Sequence, residues 1–214
     1  ATYNTVKYCT VSGVNTGTSS GLIVFSTAVG LTYGNSFNTI DNCDIKDGAT
    51  TPTNLIYCSG TTTTYNTQNN NITISNSNLH DWFNAASTAG AGINIVAGAS
   101  DWTINANSFY QTVARVFTMV ASTDQGAIFV ASATYGYNFT ISNNFIGGSA
   151  PLAGGAALTW SGGAAGTPTP RLIRVSTSAG ATNNSHGNTI PNLAFMTAST
   201  STAKRLIPGL QGKN

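Results

Sequence analysis

The side chains best suited to acid–base chemistry recur at matched places along the chain. Lys46, His80 and Tyr110 each follow an apolar residue (Ile45, Leu79 or Phe109), and the next place holds Asp47, Asp81 and Gln111. Asp44 and Asn78 stand two places before Lys46 and His80. Laid side by side, these stretches put carboxylates and an imidazole on one wall. Such a wall can relay protons, and its oxygens can hold a hard cation such as Ca²⁺. Neighbouring strands lie about 4.8 Å apart, and carboxylates that close raise one pKa by like-charge repulsion. The competing expectation is structural: Lys46 and His80 offset Asp47 and Asp81 at an exposed, solvated turn, since ion clusters that only brace a fold also perturb pKa values. No catalytic residue is assigned; Asp47, His80 and Asp81 are the trio an enzyme would use.

A repeat is what would bring these stretches together. Its clearest copy is Asn71-Ile72-Thr73-Ile74-Ser75-Asn76-Ser77-Asn78-Leu79, and its Thr-Ile core returns as Thr5-Val6, Thr39-Ile40, Thr103-Ile104, Thr140-Ile141 and Thr189-Ile190. Five places after each Val or Ile comes Val11, Ile45, Leu79, Phe109, Ile146 or Phe195. Two places after it comes Asn42, Asn76, Asn143 or Asn192, with Tyr8 and Ala106 as exceptions. The intervals are 34, 34, 30, 37 and 49 residues, and units of this length signal a solenoid. Alternation points each Ile inward and the Thr before it outward. The Asn falls where the chain must turn, a place its side chain and backbone tolerate. Stacking then predicts an Ile column in the core and a ladder of Asn42, Asn76, Asn143 and Asn192, amide to amide. No coil can bury its own apolar face, so stability must come from neighbouring coils. The long last interval, with Leu158-Thr159-Trp160 and the Gly/Ala/Pro-rich segment 161–170, reads as one coil with a protruding excursion that carries Trp160, two short coils being the alternative.

The runs Asn38-Thr39-Ile40-Asp41-Asn42-Cys43-Asp44-Ile45 and Trp102-Thr103-Ile104-Asn105-Ala106-Asn107-Ser108-Phe109 resemble the repeats of right-handed parallel β-helices, the architecture of pectate-lyase-like proteins. They are most similar to repeats of large bacterial cell-surface β-helix proteins. The resemblance runs from Tyr3 to about Phe195. It implies an all-β, right-handed, single-stranded parallel β-helix of five to six coils over residues 1–196, with 197–214 an irregular tail, linker or partial cap. It also implies a secreted or cell-surface location. A lyase of this architecture is expected to line a groove with several carboxylates for Ca²⁺, and a polygalacturonase-like enzyme to carry a tight Asp trio with a basic pair. Neither pattern stands in this sequence, and a fold by itself fixes no activity.

Composition supports the same picture. Charged residues are 7% of the chain, Glu is absent, and Thr, Ser, Asn and Gly dominate the polar positions. The 41% hydrophobic content and its regular columns exclude disorder. A net charge of +2, with no basic cluster larger than Lys204-Arg205, argues against a nucleic-acid partner. No apolar run reaches the ~18 residues of a membrane span, so membrane insertion is not expected. The sequence opens at Ala1 with a repeat already under way, and reads as a mature or excised segment. Cys9 and Cys43 share a repeat position, within disulfide reach if stacked; a pair of free thiols packed as small hydrophobes is the favoured reading. Cys58 lies on another strand.

Sugar rings stack on aromatic faces beside Asn, Asp and Thr hydrogen-bonders. Trp82 and Trp160 are the aromatics best placed for the surface, covering the core being the equal alternative for each, with Asp44, Lys46, Asn78 and Tyr110 beside them, whereas Trp102 and Phe139 share the inward phase of their strands. Arg171 and Arg174, an odd number apart, are expected to face opposite ways. The leading expectation is a non-catalytic structural or adhesive module without a cofactor, meeting polysaccharide or neighbouring copies or domains of a larger surface protein. The alternative is a polysaccharide lyase or glycoside hydrolase acting through Asp47, His80 and Asp81.

Overall fold

The computed structural model describes residues 1–196 except 28, 29, 31, 87 and 164. The expected tail, 197–214, lies outside the described residues. Among the described residues, apart from two single 3₁₀ turns, Tyr65–Thr67 and Pro151–Ala153, the regular structure is all strand. The chain is a parallel β-helix. One sheet stacks Thr5–Lys7, Thr39–Asp41, Thr73–Ser75, Thr103–Asn105, Thr140–Ser142 and Asn184–His186 in sequence order. A second stacks Thr10–Gly13, Asp44–Asp47, Asn78–His80, Ser108–Tyr110 and Phe145–Ile146. A third runs through Ile23–Phe25, Asn54–Ser59, Gly90–Ala97 and Thr123–Ser132, which pairs with both Pro168–Pro170 and Ile173–Thr177. Every strand pair in these sheets is parallel, each partner one coil away.

The expected column forms in register: Val6 opposes Ile40, then Ile74, Ile104 and Ile141. Its burial follows from neighbours. Ile74 and Ile104 are 0% exposed with a coil on either side, while Val6, in the end coil, is 39% exposed. Between the first and second sheets the backbone bends through a left-handed residue in every coil: Tyr8, Asn42, Asn76, Ala106, Asn143 and Gly187, with φ between 50° and 65°. The Asn preference here is therefore a backbone effect, since Asn visits this region at lower cost than most residues.

The amide ladder differs from expectation. Asn42 and Asn76 donate to the Asp41 carboxylate and Asn143 to Asn105 Oδ1, rather than to one another. The ladder lies one place later, at Cys43, Ser77, Asn107, Asn144 and Asn188. There the Ser77 N–H donates to Asn107 Oδ1 (3.0 Å), and the Asn107 and Asn144 backbone N–H groups donate to Asn144 and Asn188 Oδ1 (3.0 and 3.1 Å). The left-handed bend turns the preceding side chain outward and the next one into the stack.

The last repeat also shifts. Asn184-Ser185-His186, not Thr189-Ile190, pairs with Thr140-Ile141-Ser142. Ile190 is 39% exposed, and Phe195 pairs with Trp160 rather than stacking on Ile146. Asn192 thus leaves the Asn column, and its amide donates to the carbonyls of Ala153, Gly155 and Ala156. Among the described residues Asn184–His186 is paired on one side only, so Ser185 stands at the inward position where apolarity alone pointed to Ile190. The segment Leu158–Gly162 is no excursion; it pairs with Arg115–Phe117 and Leu193–Phe195 as a further sheet.

Candidate functional site

The second sheet and the loop after it assemble the polar wall. Asp44 opposes Asn78, Ile45 opposes Leu79, and His80 opposes Tyr110, so the predicted columns align. The strand Asn78–His80 ends at Asp81, whose φ of 62° turns the chain sharply. That bend points the Asp81 carboxylate along the wall. It sends Trp82 into the core, edge-on to Phe109 at 6.3 Å.

Asp81 is the hub. Its Oδ1 accepts from the Thr112 N–H (2.9 Å) and Arg115 Nη2 (2.5 Å), and its Oδ2 from the Thr112 hydroxyl (2.8 Å). His80 Nδ1 lies 2.8 Å from that same Oδ2, and His80 Nε2 lies 3.0 Å from Asp44 Oδ1. A carboxylate only accepts, so both imidazole contacts are hydrogen bonds together when both ring nitrogens carry protons. Tyr110 stacks flat on the imidazole at 4.5 Å. Gln111 accepts from Arg115 Nε (2.6 Å) and donates to the Trp82 carbonyl (2.8 Å). The guanidinium also lies over the Phe83 ring, 5.5 Å from its centroid.

This cluster is not an exposed turn. His80, Asp81, Tyr110, Gln111 and Arg115 are all buried. Burial pushes the Asp81 carboxyl up, but hydrogen bonds from His80 and Thr112 and the Arg115 charge outweigh it and hold the group at about 2. Burial, with the Asp44 and Asp81 charges, pushes the Tyr110 phenol up to about 12. Asp47 moves the other way from Asp81. Burial and the Asp81 charge raise it, partly offset by Arg115, His80 and Lys46. It accepts no side-chain hydrogen bond among the described residues. Lys46 pairs with Asp44 at 3.6 Å across a half-exposed edge.

The structure thus brings Asp44, Lys46, Asp47, His80, Asp81 and Tyr110 together, with Asn78 beside Asp44. For both candidate surface aromatics it takes the core-covering alternative. Trp82 is 3% exposed and Trp160 2%, the latter packed between Phe117 and Phe195. Trp102 and Phe139 are core, as their phase requires. The odd spacing of Arg171 and Arg174 also makes one of these arginines a turn residue, and Arg171 is that one: it lies before the strand Ile173–Thr177, and both side chains reach the Asp124 carboxylate, at 2.8 and 2.7 Å. Sequence reasoning missed Arg115 and Thr112. A signal was present, since Arg115 is a lone charge inside Val113–Val120 and follows Gln111, the residue one coil after Asp81, by four places. Among the described residues no group of three or more His, Cys, Asp or Glu side chains is placed to hold a metal ion, and no helix is long and apolar enough to cross a membrane.

Scans against protein-family models, curated proteins and solved structures return no match for this chain.

Proposed function

We propose that the protein is a structural and adhesive β-solenoid module of a larger secreted or surface protein, with the Asp81 cluster bracing its wall rather than turning over a substrate. One observation carries the reading: the hub is saturated from within. Both Asp81 oxygens take two partners each, and both His80 nitrogens face carboxylates, so no lone pair or proton on the hub points at an open site. A general base needs a free acceptor within hydrogen-bond reach of the proton it removes. The surface of Thr, Ser, Asn and Gly with few charges suits an extracellular setting, and its hydroxyls and amides suit weak carbohydrate contact.

The enzyme reading keeps one specific support, Asp47, a carboxyl raised in pKa on the same wall and without a side-chain hydrogen bond. Incubation with neutral and acidic polysaccharides separates the two readings. Retention without new chain ends is the expected result. New chain ends that vanish in Asp47→Asn would overturn the structural reading.

A further inference from the structure

The bend between the first and second sheets, away from the Asp81 hub, holds a pair of thiols. Cys9 and Cys43 occupy the same place in successive coils, fixed by the flanking register Lys7 to Asp41 and Thr10 to Asp44. Their sulfurs are 3.6 Å apart, and both are free thiols. The Asp44 N–H donates to the Cys9 carbonyl at 3.0 Å, which locks the two backbones at strand spacing. Strand spacing of about 4.8 Å falls inside the Cα separation a disulfide accepts, so small side-chain rotations bring the sulfurs to bonding distance without moving the backbone. The pair is asymmetric. Cys9 is partly exposed and Cys43 buried, and both line a shallow depression together with Tyr8, Thr10, Asp44, Asn76 and Asn78.

We propose that Cys9 and Cys43 form a disulfide-forming latch that takes an external disulfide as oxidant and clamps the end coil to its neighbour. The Cys9 thiolate attacks one sulfur of the external disulfide, forming a mixed disulfide and releasing one thiol. Cys43, losing its proton to solvent, attacks the Cys9 sulfur and expels the second thiol. The two protein thiols are oxidised, one external disulfide is reduced to two thiols, and no other reactant is needed. The thiol contact with Cys43, with burial and the Cys43 charge, raises the Cys9 pKa, so the first attack speeds up as pH rises.

The first coil is where such a latch matters. Among the described residues its strands Thr5–Lys7, Thr10–Gly13 and Ile23–Phe25 are paired on one side only, and Val6 and Val24 are exposed. Cys58, by contrast, is sealed in the core with the Asn69 amide donating to its sulfur (3.3 Å), and burial holds its thiol at about 12.

The test treats the whole chain with cystamine or oxidised glutathione at pH 8, then denatures, alkylates and weighs it. The expected product has lost two hydrogens, takes up one alkyl group at Cys58 and yields a Cys9–Cys43 linked peptide. Native proteolysis within the first coil should slow by roughly tenfold, the direction loop closure gives. Cys43→Ser should stop at the mixed disulfide on Cys9. A mixed disulfide that persists in the unaltered chain, a dimer, a bridge to Cys58 or three alkylated thiols would each overturn the proposal, and none of these readings depends on the variant folding.

Discussion

Two of the polar networks that join coil to coil in this molecule are built on opposite plans. The ladder through Ser77, Asn107, Asn144 and Asn188 is neutral and repetitive, each member repeating its neighbour's bond one coil on. The hub around Asp81 is charged and singular, assembled from five side-chain types drawn from three coils. A neutral ladder can extend with the stack because each rung is self-sufficient. A charged hub works once, where its partners meet, and losing any partner leaves a buried charge uncompensated.

The largest effect should follow from removing the cation. Arg115→Met strands the Asp81 carboxylate in the wall and should cost about 3–5 kcal/mol in denaturant unfolding. A loss below about 1 kcal/mol would mean the hub contributes little. Asn107→Leu should cost less, about 2–3 kcal/mol, by leaving the Ser77 N–H and the Ile74 carbonyl without their partner. If it matches Arg115→Met, the contrast between charged and neutral networks fails.

Acid should separate the networks further. The folded-state pKa of Asp81 lies below its unfolded value, so its stabilisation is fully present above the unfolded carboxyl range and is lost as pH falls toward about 2. Asp47, raised in the fold, has the opposite sign: its ionisation destabilises, and stability drops as pH rises from the unfolded carboxyl pKa through the raised one. Thermal melts should therefore show Asp47→Asn more stable than the parent at pH 7 and Asp81→Asn less stable. Matching shifts in the two variants would contradict the assigned environments. The smallest effect belongs to the bend, where Ala106 holds a φ of 57° that a Cβ disfavours; Ala106→Gly should gain about 0.5–1 kcal/mol.

The same contrast explains how much was legible in the sequence. Repetition is visible in one dimension, so the Ile40–Ile74–Ile104–Ile141 column and the pairing of His80 with Tyr110 follow from spacing alone. The ladder was misplaced by one residue because Asn42, Asn76 and Asn143 mark a backbone requirement that looks the same in sequence as a side-chain one. The last repeat is harder to recognise because, among the described residues, its inward position is covered on one side only and Ser185 fills it, while the nearby Ile190 keeps the apolar pattern. Arg115 and Thr112 lie in a segment that repeats nothing. Trp82 and Trp160 face inward because of a single left-handed residue in one case and a strand pairing in the other, and neither is periodic.

The one-coil spacing of every sheet partner also has a mechanical meaning. A load that peels one coil from the end of the stack breaks a handful of short strand pairings at once and frees all the chain between two equivalent residues. For the 34 residues separating Thr39 from Thr73, that is roughly 110 Å of extended chain, against about 4.8 Å lost from the length of the stack. The solenoid is therefore a tether that lengthens in steps, and pulling single molecules should register extensions that follow each coil's own residue count.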